Sequence, residues 1–275
     1  MNLNNKLAYV SGAGSGIGRE TALVLAKSGC RLAITDICED SLGETASLIG
    51  ESVVFIHRLD VADESAYRQC ADKLIGDIGV PDIVVNNAGV GLTGFFNDCS
   101  LLNWQWIIGI NLKGVIHGCH FFAPAMLERG SGQIVNISSG LGLFAAPKMS
   151  AYCASKYAVV GLSESLRSEF STSGVGVTVI CPGIVNTAIT KNMRVASGEQ
   201  AAVRATTSAM YQRRNYTPDK IAARIVRAIE KNHGVVPVCP ETHIAYALKR
   251  LSPRFSSAIL SRLMAKTLDP SIVRC

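Results

Sequence analysis

The sequence predicts an α/β protein, a single domain built on a doubly wound parallel sheet. Three observations carry that expectation. Short runs rich in valine and isoleucine alternate with stretches of helical length along the whole chain. The first of these runs leads straight into a glycine cluster and then a helix. Further on, Tyr152 and Lys156 stand one helical turn apart, with Ser139 thirteen residues upstream of the tyrosine.

The predicted strands are Leu7–Val10, Arg31–Asp36, Val53–His57, Ile83–Asn86, Gln133–Ile137, Val177–Cys181 and Val235–Val238. Each is short and apolar, as strands buried on both faces of a parallel sheet require. The first ends at Tyr9-Val10-Ser11 and runs into Gly12-Ala13-Gly14-Ser15-Gly16-Ile17-Gly18; Arg19 to Ser28 then has helical composition and stops at Gly29. Strand, glycine turn and helix in that order are the setting of a dinucleotide fingerprint. The glycines let backbone approach a pyrophosphate, whose charge meets free N–H groups at the positive end of the helix. The next strand ends in Asp36, eighteen residues past Gly18. A carboxylate there accepts both hydroxyls of an adenine ribose and repels a 2′-phosphate; it can also simply cap the helix that follows. Near the other end, Thr217 is placed to cap a helix with Pro218 in its first turn and Asp219 beside its positive end. No repeat, low-complexity tract or linker divides the chain.

Tyrosine and lysine at i and i+4 share one helix face, ~6 Å apart along the axis. A phenol with a pKa of ~10 is a poor proton carrier at neutral pH, and an ammonium one turn away pulls it down toward the working range. A shift of ~3 units asks for about 4 kcal/mol of preference for the phenolate. Ser139 adds a hydroxyl that can hold an oxygen while its charge changes. Together these groups suit moving a proton on or off an alcohol oxygen.

Five motifs in order resemble the short-chain dehydrogenase/reductase family, over nearly the whole chain. Ser11 to Gly18 is similar to that family's Thr-Gly-x-x-x-Gly-x-Gly motif, with serine in place of threonine. Asn86-Asn87-Ala88-Gly89 matches its Asn-Asn-Ala-Gly signature, and Asn111 sits where the family carries a catalytic asparagine. Asn136-Ile137-Ser138-Ser139 resembles the catalytic-serine strand end, and the spacing to Tyr152 picks Ser139. Pro182 to Thr187 resembles the segment that holds the nicotinamide end.

The resemblance implies a Rossmann fold of seven parallel strands in the order 3-2-1-4-5-6-7. It implies NAD-dependent interconversion of a secondary alcohol and a ketone. In the oxidative direction Tyr152, as phenolate, takes the hydroxyl proton. Lys156 lowers the tyrosine pKa and binds the nicotinamide ribose, Ser139 orients the substrate oxygen, and Asn111 holds a water that links Lys156 to solvent. Cofactor contacts are expected from Gly12, Ser15, Gly16, Ile17 and Gly18 in the turn, from Asp36, and from Asn87, Ala88 and Gly89. Asp60 and Val61 should flank the adenine. Tyr152, Lys156, Pro182 and Gly183 should border the nicotinamide, with Val185 and Thr187 fixing its carboxamide. NAD is favoured over NADP because of Asp36, and because neither Ser15 nor Ile37 is basic.

Leu92, Leu141, Leu143, Phe144 and Met149, with Phe95 and Phe96, fall in segments that line the family's pocket. Their apolar character points to a bulky hydrophobic alcohol or ketone, steroid-, lipid- or terpenoid-like. Residues 187–216 resemble a substrate lid; Lys191, Arg194, Arg204, Arg213 and Arg214 there face one acid, Glu199. Those cations can recognise a carboxylate or a thioester-linked phosphate, or form a solvated helix face. Two alternatives follow: a ketoreductase of 3-oxoacyl thioesters, whose usual NADPH preference conflicts with Asp36, and a non-catalytic NAD-binding regulator. That Asn111, Ser139, Tyr152 and Lys156 are all present argues for an enzyme.

Composition agrees. The chain has 275 residues, 48% hydrophobic and 17% charged, enough for one α/β domain with an ample core. No run of eighteen uncharged apolar residues occurs, and Met1 to Lys6 has no apolar signal core, so a cytoplasmic protein is expected. The nine cysteines contain no Cys-x-x-Cys and read as reduced core residues. His117 and His120 share a helical face without a third ligand, so no metal is expected. The net charge of +6 is dispersed, which argues against nucleic acid as a partner. A homodimer or homotetramer is expected. The catalytic domain spans 1–241. From Thr242 to Cys275 runs a basic amphipathic extension: Tyr246, Leu248 and Leu251, then Ile259, Leu260, Leu263, Met264 and Leu268, among Arg250, Arg254, Arg262 and Lys266. It is expected to pack on the same domain or a partner subunit, with peripheral membrane contact as the lesser alternative.

Overall fold

The computed structural model describes residues 1–187 and 189–252. Residues 253–275 lie outside the described ones, and with them the expected apolar positions from Ile259 to Leu268 and the basic Arg254, Arg262 and Lys266; so does the Lys191 side chain. Nine strands and ten helices are described: β1 (Leu7–Ser11), α1 (Gly16–Lys27), β2 (Arg31–Asp36), α2 (Glu39–Ile49), β3 (Val53–Arg58), α3 (Glu64–Asp77), β4 (Ile83–Asn86), β5 (Leu92–Thr93), α4 (Leu101–Ile108), α5 (Gly114–Arg129), β6 (Gly132–Ile137), α6 (Ser150–Glu169), β7 (Val175–Cys181), α7 (Ile189–Asn192), β8 (Arg194–Val195), α8 (Gln200–Arg214), α9 (Pro218–Lys231), β9 (Val235–Pro237) and α10 (Pro240–Leu251).

Seven strands form one parallel sheet in the order β3-β2-β1-β4-β6-β7-β9, which among these seven is the expected 3-2-1-4-5-6-7. The expected strands sit within two residues of the observed ones, and β1 runs one residue further, to Ser11. Strand alternation sorts β1 between two cores: Leu7 and Tyr9 pack on one face, Ala8 and Val10 on the other. The first face is covered by α3, α5 and α6, through Tyr67, Phe122, Met126 and Val159. The second is covered by α1 and α9, through Leu25, Ile221, Ile225 and Ile229. The order reverses between β1 and β4, which pair through Ala8↔Ile83 and Val10↔Val85. A crevice therefore opens beyond their carboxyl ends, where ligands of such sheets bind.

Three features differ from expectation. A second, two-stranded sheet pairs Leu92–Thr93 with Arg194–Val195 and ties the expected lid to the segment after Gly89. Thr217 occupies the N-cap position of α9, but its side chain makes no capping bond. The extension expected from Thr242 begins earlier, as α10 with Pro240 in its first turn, and its described part packs on the same domain. There Thr242 and Ala245 are buried, and Lys249 Nζ donates to the Leu143 carbonyl at 2.7 Å and the Tyr157 hydroxyl at 2.6 Å. No helix among the described residues is long and apolar enough to cross a membrane.

Candidate active site

A cavity of about 450 Å³ lies beyond the carboxyl ends of β1, β4, β6 and β7, a size ordinary for small-molecule sites. At one end is the glycine turn. Asn87 pins it, donating from Nδ2 to the Ser11 and Gly12 carbonyls at 2.9 and 3.0 Å. The Ser11 hydroxyl accepts from the Asn87 and Ala88 amides at 3.1 and 3.3 Å, a role serine fills as well as threonine. Gly12, Ser15, Gly16 and Ile17 line the cavity. Gly18 does not. A side chain there would run into the Gly12 carbonyl and the Asn87 amide, so this glycine allows helix α1 to pack closely against the turn.

Asp36 lines the cavity beside the turn. Its Oδ2 accepts from Gly14 N at 2.8 Å and its Oδ1 from Cys38 N at 3.0 Å, so it joins the glycine turn to the residue before α2 but does not cap that helix, whose N-cap is Cys38 without a side-chain bond. Asp60 and Val61 also line the cavity. Asp60 Oδ1 accepts from Ala62 N at 2.9 Å, and the Val61 carbonyl is held by His117 Nδ1 at 2.9 Å. His117 is thus tied to backbone, edge-on to Tyr67, and serves to position Val61.

The opposite end holds Ser139, Tyr152 and Lys156, with Pro182, Gly183, Val185 and Thr187 on the adjoining wall and Asn87, Ala88 and Gly89 between the two ends. Ser139 lies two residues past the end of β6, where its hydroxyl accepts from Leu141 N at 3.2 Å and favours the phenolate of Tyr152. Ser138 turns the other way, donating to the Lys156 carbonyl at 2.8 Å. Lys156 is buried and donates from Nζ to the Ile137 carbonyl at 3.0 Å. Burial brings its ammonium down to about 8. Burial, reinforced by the nearby Tyr211 phenol, pushes the Tyr152 phenol up, and Ser139 opposes this. No lowering of the tyrosine by Lys156 is seen here; the loss of water sets the direction.

Asn111 does not line the cavity. It is wholly buried in a π-helical turn, Gly109–Lys113, between α4 and α5. Its Oδ1 accepts from Val90 N at 2.8 Å, and its Nδ2 donates to the Val90 carbonyl at 3.0 Å and Ser155 Oγ at 3.2 Å. Its amide is spent on holding the segment after Gly89 against the helix of Tyr152.

Of the expected substrate residues, Leu141, Phe144 and Met149 line the cavity. Leu92 packs instead with Ile107 and Ala151, because strand alternation turns Thr93 toward the cavity and Leu92 away. Leu143 belongs to the main core. Phe95 and Phe96 are exposed. Sequence reasoning missed the cavity residues of the lid, Met193, Thr207, Met210 and Tyr211, and of α10, Glu241 and Thr242. Pro240-Glu241 is a helix-start signal of the same kind as Pro218-Asp219 and would have located α10. Three lid cations are occupied within the protein. Arg194 stacks 3.8 Å from the Trp106 ring centre, Arg204 donates to the Met193 carbonyl at 3.0 Å, and Arg214 pairs with Glu241 at 2.6 Å.

Residues 6–198 match the model of the short chain dehydrogenase family. The probable oxidoreductase EphD of Mycobacterium tuberculosis is 40% identical over 256 residues, which cover 90% of this chain and 43% of EphD. The chain thus spans less than half the length of that relative. The putative oxidoreductase SadH of the same organism is 37% identical, with 90% of each chain covered. Among solved structures, a short chain dehydrogenase/reductase from Burkholderia phymatum in complex with NAD is 30% identical, with a TM-score of 0.86 over 93% of this chain and 96% of that one. By sequence, fold and relatives alike, the chain belongs to the short-chain dehydrogenase/reductase family, whose members use nicotinamide cofactors.

Proposed function

We propose that this enzyme interconverts a secondary alcohol and a ketone with NAD, on a bulky apolar substrate. The observation that carries the reading is one cavity lined at one end by the glycine turn and Asp36, and at the other by Ser139, Tyr152 and Lys156.

The turn suits a dinucleotide. Ser15 leaves the first turn of α1 without a side-chain cap, and that turn carries no acidic residue, so its amides are free for a diphosphate. A side chain on Gly12 would meet Ala88 Cα at 2.8 Å, and one on Gly14 would meet Asp36 Oδ2 at 2.8 Å. The backbone is therefore bare where the phosphates approach. Asp36 offers a carboxylate to a ribose diol and repels a 2′-phosphate, and the Burkholderia phymatum relative is complexed with NAD. Bound there, the nicotinamide supplies the hydride acceptor or donor.

Tyr152 carries the proton. With its pKa pushed up, the phenol is protonated at neutral pH and serves as the donor to a ketone oxygen. Alcohol oxidation needs the reverse transfer and gains as pH rises. Ser139, beside the phenol on the same cavity wall, meets the substrate oxygen and restricts its orientation. Lys156 keeps a cation behind the phenol below about pH 8, favouring any negative charge that develops on it. Leu141, Phe144, Met149 and Met210 give the remaining wall its apolar character.

The test is NAD reduction over a panel of secondary alcohols, from short aliphatic to steroid-sized, with Tyr152→Phe alongside. Tyrosine-dependent turnover that rises with apolar bulk is the expected result. Undiminished turnover by Tyr152→Phe, or a strict preference for small polyols, overturns the reading.

A further inference from the structure

Helix α10 reaches the catalytic end of the molecule through one side chain. Lys249, in its last turn, donates from Nζ to the Leu143 carbonyl at 2.7 Å and to the Tyr157 hydroxyl at 2.6 Å. The two acceptors belong to different elements. Leu143 follows the short helical turn Gly140–Gly142, directly after Ser139, whereas Tyr157 lies in α6 next to Lys156.

The segment from Ser138 to Phe144 forms part of the active-site wall, with Ser139, Leu141 and Phe144 lining the cavity. It leaves the sheet where β6 ends at Ile137. Some of its backbone bonds close on itself: Gly142 N donates to the Ser139 carbonyl at 2.9 Å, and Leu143 N to the Gly140 carbonyl at 2.8 Å. Bonds of that kind shape the turn without fixing where it sits. Toward the sheet, Gly140 N anchors it on the Pro182 carbonyl at 2.6 Å. Toward α6 it is tied at both ends. Ser138 Oγ donates to the Lys156 carbonyl at 2.8 Å, and Lys249 bridges Leu143 to Tyr157. Turn and helix are in direct contact between these ties, since a methyl group on Gly142 would lie 2.7 Å from the Lys156 carbonyl. Ser139 stands in the tied segment, and the helix it is tied to carries Tyr152 and Lys156.

An ammonium suits the bridge. It has three donors and no acceptor, so it can serve a carbonyl and a hydroxyl at once. Hydrogen bonds from a charged donor are also the stronger kind.

We infer that Lys249 is a positioning residue of the active site: by bridging Leu143 and Tyr157, it holds the Ser139 turn in register with the helix of Tyr152 and Lys156. It does not line the cavity and acts through Ser139. The inference rests on the proposed dehydrogenase reading and gives α10 a part in it.

Lys249→Met keeps an unbranched stem and removes both bonds. With the secondary alcohol that wild type turns over best, kcat should fall about tenfold, because small displacements of a reacting group are costly. Rates are referred to the concentration of NADH-binding sites, so a loss of folded protein cancels. NADH affinity, read by fluorescence titration, should stay at the wild-type value, since the glycine turn is untouched. Lys249→Arg, which restores donors, should recover most of the lost kcat. Tyr157→Phe removes half of the bridge and should lower kcat by less. Added to Lys249→Met it should cost nothing further, as expected of two groups in one bridge. An unchanged kcat in Lys249→Met overturns the inference while the dehydrogenase reading stands. So does NADH affinity that falls in step with kcat, or a Lys249→Arg variant no better than Lys249→Met. Should Lys249→Met fail to fold, Tyr157→Phe decides, and a wild-type kcat there overturns the inference. Absence of turnover by wild type on every alcohol removes the reading and the inference together.

Discussion

The Lys156 ammonium lies 5.9 Å from the centre of the Tyr152 ring, and its hydrogen bond goes to the Ile137 carbonyl, not to the phenol. Both groups have lost water, and each is pushed toward its neutral form: the lysine down to about 8, the tyrosine up. A buried cation that the chemistry needs is a burden on the fold.

Replacing Lys156 by methionine should therefore stabilise the protein at pH 7 while abolishing turnover. An ammonium lowered from 10.5 to about 8 on folding costs on the order of 3 kcal/mol wherever both states are protonated, below about pH 8. The lost bond to Ile137 returns about 1 kcal/mol of that. The expected gain is ~2 kcal/mol, or a Tm higher by about 5 °C for a domain of this size. The unfolded state holds more protons between about pH 8 and 10.5, so wild-type stability rises through that window and the gap to the variant closes. Calorimetry at pH 7 and pH 9.5 checks both parts; a variant less stable than wild type at pH 7 contradicts the account.

Asp36 bonds Gly14 N and Cys38 N with its two oxygens, so its removal loosens the turn as well as losing a ribose partner. Asp36→Ala should raise the KM for NAD by about tenfold or more and shrink the preference for NAD over NADP. Arg19 remains beside the turn, donating to the Ser41 carbonyl at 3.1 Å and to Glu44 at 2.9 Å, so with the carboxylate gone the charge next to the turn no longer repels a 2′-phosphate. Initial rates with each cofactor decide; an unchanged NAD to NADP ratio would show that Asp36 serves only the turn.

The parallel sheet was legible because strands buried on both faces must be apolar throughout, and its residues from Ile83 to Asn86 or Val175 to Cys181 carry that mark. The glycine turn and the Tyr152–Lys156 spacing were legible because backbone approach and helical pitch fix residue type and interval. The pairing of Leu92–Thr93 with Arg194–Val195 was not, since a strand of two residues has no period to read. An apolar residue in a pocket segment does not declare which way it points, which is how Leu92 and Leu143 were misplaced and Leu141 was not. Nor does spacing reveal burial: it brought Lys156 to Tyr152 and left the sign of the tyrosine shift to the lost water.

Asn111 tests the difference between a proton route and a brace. Its side chain makes three hydrogen bonds, two of them closing on the amide and carbonyl of Val90. Asn111→Leu keeps the branched shape but strands the amide and carbonyl of Val90, while Ser155 Oγ keeps its bond to the Tyr152 carbonyl. Each buried polar group left without a partner costs roughly 1–3 kcal/mol, so a loss of about 2–4 kcal/mol and a Tm lower by ~5–15 °C are expected. The segment from Gly89 to Gly91 borders the cavity, so KM for the cofactor should rise with it. A residue that only held a relay would behave otherwise, with kcat reduced and Tm within a degree or two of wild type. Thermal unfolding beside steady-state kinetics on the one variant separates the roles.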